Sequence, residues 1–228
     1  MQTHHQTQYQ CASGIRVRRS AALLNYDNAI NRLASSLDQQ KGVLLASSYE
    51  YPGRYTRWDI GFTNPPLQLI GRGRRLTIDA LNRRGQILLP EIFHALQGCE
   101  AIDCLEASEE RIELSVVSES IEVSEELRTR KPTLFSVLRE IVACFSSPDD
   151  PYLGLYGAFG YDLTFQFEDV KRFQSRTAED RDMVLYLPDQ IIVADHRSEK
   201  TTCYNYEFVC RGWGTDEGSA IKRAETTG

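Results

Sequence analysis

VLLASSYEYPGRYTRWDIGF, residues 43 to 62, reads as a buried strand running straight into a crowd of rings and ions. Val43-Leu44-Leu45 is a short continuous apolar run, suited to a strand covered on both faces. At Ala46-Ser47-Ser48 the side chains become small, and two of the three are polar. Tyr49, Glu50, Tyr51, Arg54, Tyr55, Arg57, Trp58 and Asp59 then surround a Pro52-Gly53 turn. Trp58, Ile60 and Phe62 alternate with Arg57, Asp59 and Gly61, which predicts a returning strand with one buried face. Hydroxyls at a strand end, beside rings that can form an apolar slot, suit a flat ligand with a polar head. A solvated hairpin with snorkelling Tyr and Arg side chains is the plainer alternative.

Outward from this stretch the same signals recur. Residues 1–13 read as a disordered lead-in, followed by a short strand at Ile15-Arg16-Val17. Ile30, Leu33, Ala34 and Leu37 recur at helical steps within a helix over 26–40, with Asn25 or Asp27 to cap it and Gly42 to close it. On the other side, Leu67 and Leu69, then Leu76, Ile78 and Ala80, continue the alternation across a Gly71-Arg72-Gly73 turn, so an antiparallel meander is expected. Asn82 to Gly85 reads as a turn before a helix over 88–96. Ile112, Leu114 and Val116 mark a strand inside an acidic connection over 106–131. A second strong helix over 133–145 gathers Leu134, Val137, Leu138, Ile141, Val142 and Phe145 on one face, with Pro132 near its first turn. Strands follow at 153–161, 184–187, 191–194 and 202–208, and residues 211–228 have the polar composition of a linker. Strands outnumber helices and mostly succeed one another through short turns. The class is therefore α+β, with antiparallel sheets packed with helices and one main domain over 14–210.

The composition limits the functions open to such a domain. With 228 residues, 41% hydrophobic and 25% charged, the chain is globular. A net charge of −6 argues against nucleic acid as a general partner. The clusters Arg16-Arg18-Arg19, Arg72-Arg74-Arg75 and Arg83-Arg84 are short and sit beside turns, so they read as solvated. Six cysteines occur without a CxxC pair, and Cys144, on an apolar helical face, reads as a small buried hydrophobe. No apolar run spans a bilayer and the start is polar, so a cytoplasmic protein without a membrane partner is expected.

Catalytic signatures are thin. His94 and His196 each stand alone in the sequence and read as structural. Ser47 and Ser48 lack a nucleophile elbow, and Gly154, Gly157 and Gly160 suit close strand packing better than phosphate binding. The signals for binding are stronger. Ser47, together with Arg139 on the second helix, would serve a small amphoteric ligand, since a guanidinium matches a carboxylate bidentately. Taken by itself, Arg139 reads as a surface arginine.

The segments LLASSYEYPGRYTRWD, TLFSVLREI, LGLYGAFGYDLTFQFE and RDMVLYLPDQIIVADH, in this order, resemble the N-terminal half of anthranilate synthase component I. The resemblance spans roughly residues 14 to 210 and is closest to the form fused to its glutamine amidotransferase. It implies a regulatory and scaffolding half that packs on a C-terminal chorismate-binding domain, in an enzyme making anthranilate and pyruvate from chorismate and glutamine. Mg2+ serves that enzyme, with ligands expected outside this chain, and a homo-oligomer is expected at full length. The family's catalytic residues belong to the other half, so no catalytic residue is expected here. L-Tryptophan is the implied feedback ligand. Ser47 and Ser48 carry over directly as its contacts, Ala46 stands where the family commonly has an acid, and Arg139 matches by position in FSVLR. Val184 stands where some members place a cysteine lining the site, and Tyr49 to Trp58 become a pocket rim. Two alternatives are another chorismate-utilising synthase, of the aminodeoxychorismate, isochorismate or phenazine pathway, and a stand-alone amino-acid-binding module.

Overall fold

The computed structural model describes residues 5–11, 13–46, 57–118, 131–167, 173–177, 179–211 and 221–223. Their strands form two antiparallel sheets. Sheet A runs, in spatial order, β1 (His5–Gln10), β2 (Arg16–Leu24), β12 (Lys200–Arg211), β11 (Gln190–Asp195), β4 (Trp58–Thr63) and β3 (Gly42–Leu45), and β13 (Ile221–Arg223) also pairs with β12. Sheet B runs β7 (Ile102–Ala107), β8 (Arg111–Val116), β6 (Arg75–Ala80), β5 (Leu67–Arg72), β10 (Met183–Leu187) and β9 (Tyr156–Phe159). Three α-helices, α1 (Tyr26–Ser36), α2 (Arg83–Leu96) and α3 (Leu134–Phe145), pack on these sheets, and a 3-10 helix spans Tyr161–Gln166. The α+β class with antiparallel sheets follows directly.

Helix α2 touches β6 and β8 of sheet B and β12 of sheet A. On α3, Phe145 meets Phe208 of β12 edge-on at 5.5 Å, while Leu134 closes over Gly71 of β5. These two helices thus share one core with both sheets. Helix α1 covers the opposite face of sheet A. An added Cβ at Gly61 would lie 2.6 Å from the Val43 carbonyl oxygen and 2.6 Å from the Leu33 side chain, so the β3–β4 pairing beneath α1 requires glycine there.

Several expectations change in the structure. The lead-in is not wholly irregular: β1, polar throughout, pairs along β2 because an edge strand needs only its backbone ladder and here gains a hydrogen bond from Tyr9 to Asp150. Within the expected linker, β13 pairs with β12. The meander breaks between β4 and β5, which belong to different sheets. Pro65 and Pro66 cannot donate to a ladder, and Asn64 turns the chain with φ 53°. Gly42 opens β3 instead of closing α1, and Gly85 lies buried inside α2, whose cap is Asn82 accepting from Arg84 N and Gly85 N. Val142 is exposed, and Cys144 takes its place on the buried face of α3.

The arginine clusters are also less solvated than expected. Arg19 pairs with buried Asp150 at 3.2 Å, and Arg74 donates to the Val117 and Pro132 carbonyls at 2.6 and 2.8 Å. Buried Arg84 reaches Asp189 at 2.7 Å and the Asn64 carbonyl at 2.8 Å. Asn64 precedes β5 and Asp189 precedes β11, so this one side chain ties together both places where the chain changes sheets. No helix among the described residues is long and apolar enough to cross a membrane.

Candidate functional site

Pleating sends alternate residues of a strand to opposite faces, and sheet B uses both faces differently. Leu67, Leu69, Leu76, Ile78, Met183, Leu185 and Leu187 are all within 2% of full burial. Their face is the one beneath α2 and α3. In the cross-strand register, Ala158, Val184, Ile70 and Thr77 share the other face with Tyr156, Tyr186, Gln68 and Asp79. Phe62 of β4 packs there, edge-on to Tyr156 at 5.7 Å and to Tyr186 at 6.4 Å. Lys41, just before β3, donates to Gln68 Oε1 at 2.8 Å. The result is a half-buried patch of rings and aliphatic side chains beside the strand that leads to Ala46.

The sequence-predicted residues separate on this map. Val184 is half-buried on the ring-bearing face, and Ala46 is exposed just past the end of β3. Ser47 and Ser48, with the pocket rim as far as residue 56, lie outside the described residues. Arg139 is exposed on α3, where it lines a cleft with Leu185. Leu185 and Val184 are neighbours on one strand and point to opposite faces. Arg139 and Val184 therefore lie on opposite faces of sheet B.

At Gly157, an added Cβ would fall 2.1 Å from the Val184 carbonyl oxygen, which explains one of the three spaced glycines by close strand packing. Gly160 sits against the Asp182 backbone more loosely, and Gly154 has open space around it. Gly157 lies opposite Leu185 and Ala158 opposite Val184, so the glycine serves the close pairing of β9 with β10.

A partnership that the sequence did not indicate lies on the α1 face of sheet A. His196 Nε2 stands 3.0 Å from Asp59, and its Nδ1 stands 2.8 Å from the Tyr26 hydroxyl. A neutral ring that donates from Nε2 to Asp59 accepts the tyrosine proton at Nδ1. This linkage holds the start of α1 to the turn after β11. It also explains why Asp59 is buried while Trp58 stays 48% exposed, reversing the expected alternation; the Arg57 guanidinium stacks on the outward indole at 4.3 Å. The separation of 137 positions between Asp59 and His196 hid this contact. His94, by contrast, is exposed and meets Gln97.

Buried thiols are held protonated: burial pushes Cys11, Cys144 and Cys203 up to about 11 and Cys210 up to about 12. They serve as small core residues rather than nucleophiles. Among the described residues no three His, Cys, Asp or Glu side chains are grouped as a metal ion would require.

No protein-family model matches the chain. Anthranilate synthase of Azospirillum brasilense is 44% identical over 208 residues, 91% of this chain and 28% of that protein. Anthranilate synthase component 1 of Haemophilus influenzae is 24% identical over 168 residues, 72% of this chain and 32% of its own length. The chain spans less than a third of either of these relatives.

Proposed function

Because this chain belongs with the anthranilate synthases over the stretch it shares with them, we propose that it is the regulatory and scaffolding portion of such an enzyme. In this reading the whole enzyme converts chorismate and glutamine into anthranilate, pyruvate and glutamate for tryptophan biosynthesis in the cytoplasm. A chorismate-binding domain and a glutamine amidotransferase are its partners, and the assembled enzyme is a homo-oligomer. Mg2+ would serve the whole enzyme, held by residues outside this chain.

The role of this portion is to bind L-tryptophan and thereby disfavour the active arrangement of the enzyme, a coupling between two sites. The observation that carries this reading is the half-buried face formed by Ile70, Tyr156, Val184 and Tyr186 under Phe62. Rings set edge-on to one another offer an indole the contacts that aromatic pairs prefer. Ser47 and Ser48 would supply hydroxyls to the amino-acid head. Ala46 offers no carboxylate to the ammonium, so backbone carbonyls must replace it. Arg139, on the other side of the sheet, is left out of this pocket.

Calorimetric titration of the intact chain with L-tryptophan tests the proposal. Saturable heat is expected, and Ser47→Arg should weaken binding at least tenfold. Absence of heat at millimolar ligand, or equal binding by the variant, would overturn it.

A further inference from the structure

The cleft between α3 and the β9–β10 edge lies on the face of sheet B turned away from Val184. It encloses about 540 Å³, and its lining includes Phe135, Leu138, Arg139, Val142, Phe159 and Leu185. Phe135 stands 5.5 Å from Phe159 and 5.7 Å from Phe167, with ring planes 31° and 32° apart, so three rings make a tilted wall. Phe159 remains 54% exposed, Phe167 46% and Val142 37%. These partly uncovered apolar side chains are grouped at one cleft and not scattered singly.

The wall is fixed in place. Gln166, next to Phe167, accepts the Leu134 N–H at 3.0 Å and donates to the Gly73 carbonyl at 2.9 Å. The 3-10 helix, the start of α3 and the β5–β6 turn therefore hold one another, and the rings need little rearrangement to receive a ligand. Arg139 supplies a single exposed cation at the cleft, and among the described residues it has no ion-pair partner.

We propose that this cleft binds a small aromatic monocarboxylate. Its ring system lies against the Phe135–Phe159 wall, and its carboxylate takes the Arg139 guanidinium. The volume falls within the range of small-molecule sites, roughly 300–1,000 Å³. A planar guanidinium receives a carboxylate through two parallel hydrogen bonds. Arg139 is the one charged side chain in a lining whose other polar side chain is Ser146, so the cleft favours a ligand with one negative charge over phosphates and dicarboxylates. The proposal does not depend on the tryptophan reading, because the two sites lie on opposite faces of sheet B.

The test uses 2-naphthoate and its neutral analogue 2-naphthalenemethanol, followed by the methyl NMR signals of Leu138, Val142 and Leu185 in the intact chain. Saturable shifts with 2-naphthoate are expected. Arg139→Gln should weaken the acid at least tenfold while leaving the alcohol unchanged, and Ala143→Trp, at an exposed lining position, should block both. Saturating L-tryptophan should leave the naphthoate shifts in place. Absent shifts, equal acid affinity in Arg139→Gln, or competitive displacement by L-tryptophan would overturn the proposal. Failure of the calorimetric tryptophan test with these shifts intact would sink only the other reading.

Discussion

The two faces of sheet B are made from the same strands, residue by alternate residue, and they serve opposite ends. Under α2 and α3, Leu69, Leu76, Ile78 and Leu185 are sealed among other apolar side chains. On the reverse, Ile70, Thr77, Val184 and Tyr186 are only half-buried, and the partners described for that face are Phe62 and Lys41. A fully buried aliphatic side chain is worth about 1.5–3 kcal/mol relative to exposure, so the helix-covered face supplies stability. The reverse face leaves its apolar side chains only half-buried. Arg84 preserves this division, because its contacts fix both crossings between the sheets.

The largest effect should therefore come from that arginine. Arg84→Met leaves Asp189 buried without its partner and should cost about 3–5 kcal/mol in urea denaturation, whereas a loss under about 1 kcal/mol would show that the crossings hold without it. Ile78→Ala should cost about 2–5 kcal/mol by the same measurement. Ile70→Ala, one strand over and on the opposite face, should cost less than half as much; equal losses would erase the contrast between the faces.

The next effect depends on pH. Burial, opposed by the Arg84 charge, pushes the Asp189 carboxyl up from 3.8 to about 6. Folding thus favours the protonated form, and this stabilising contribution is present at low pH and lost as pH rises through about 6. Compared with Asp189→Asn, the native chain should gain about 1–3 kcal/mol as pH falls from about 7 to about 4. An opposite slope would contradict the assignment. Smallest, Ala46→Glu should tighten L-tryptophan binding about tenfold, near 1.4 kcal/mol, by giving the ammonium a carboxylate; calorimetry would show whether the affinity is unchanged.

Where local patterning is strong, the sequence was legible. Ile112, Leu114 and Val116 are the buried residues of β8, and α3 follows its apolar period apart from Val142. Edge strands escaped notice: β1 is polar and β7 is largely exposed, so neither carries the alternation of a half-buried strand. The division into two sheets was also hidden, since alternation runs on through β4 and β5 while Asn64-Pro65-Pro66 redirects the chain. For the candidate site, Val184 was placed on a strand correctly, but its separation from Arg139 depends on how α3 packs against sheet B. That is a long-range fact. The Tyr26–His196–Asp59 linkage is of the same kind.

In the proposed function the ring-bearing face of sheet B, and not the α3 cleft, receives tryptophan. Methyl NMR during an L-tryptophan titration tests it directly. Saturable shifts are expected at Ile70 and Val184 with Val142 and Leu138 unmoved. Shifts at Val142 and Leu138, with Ile70 and Val184 unmoved, would contradict it.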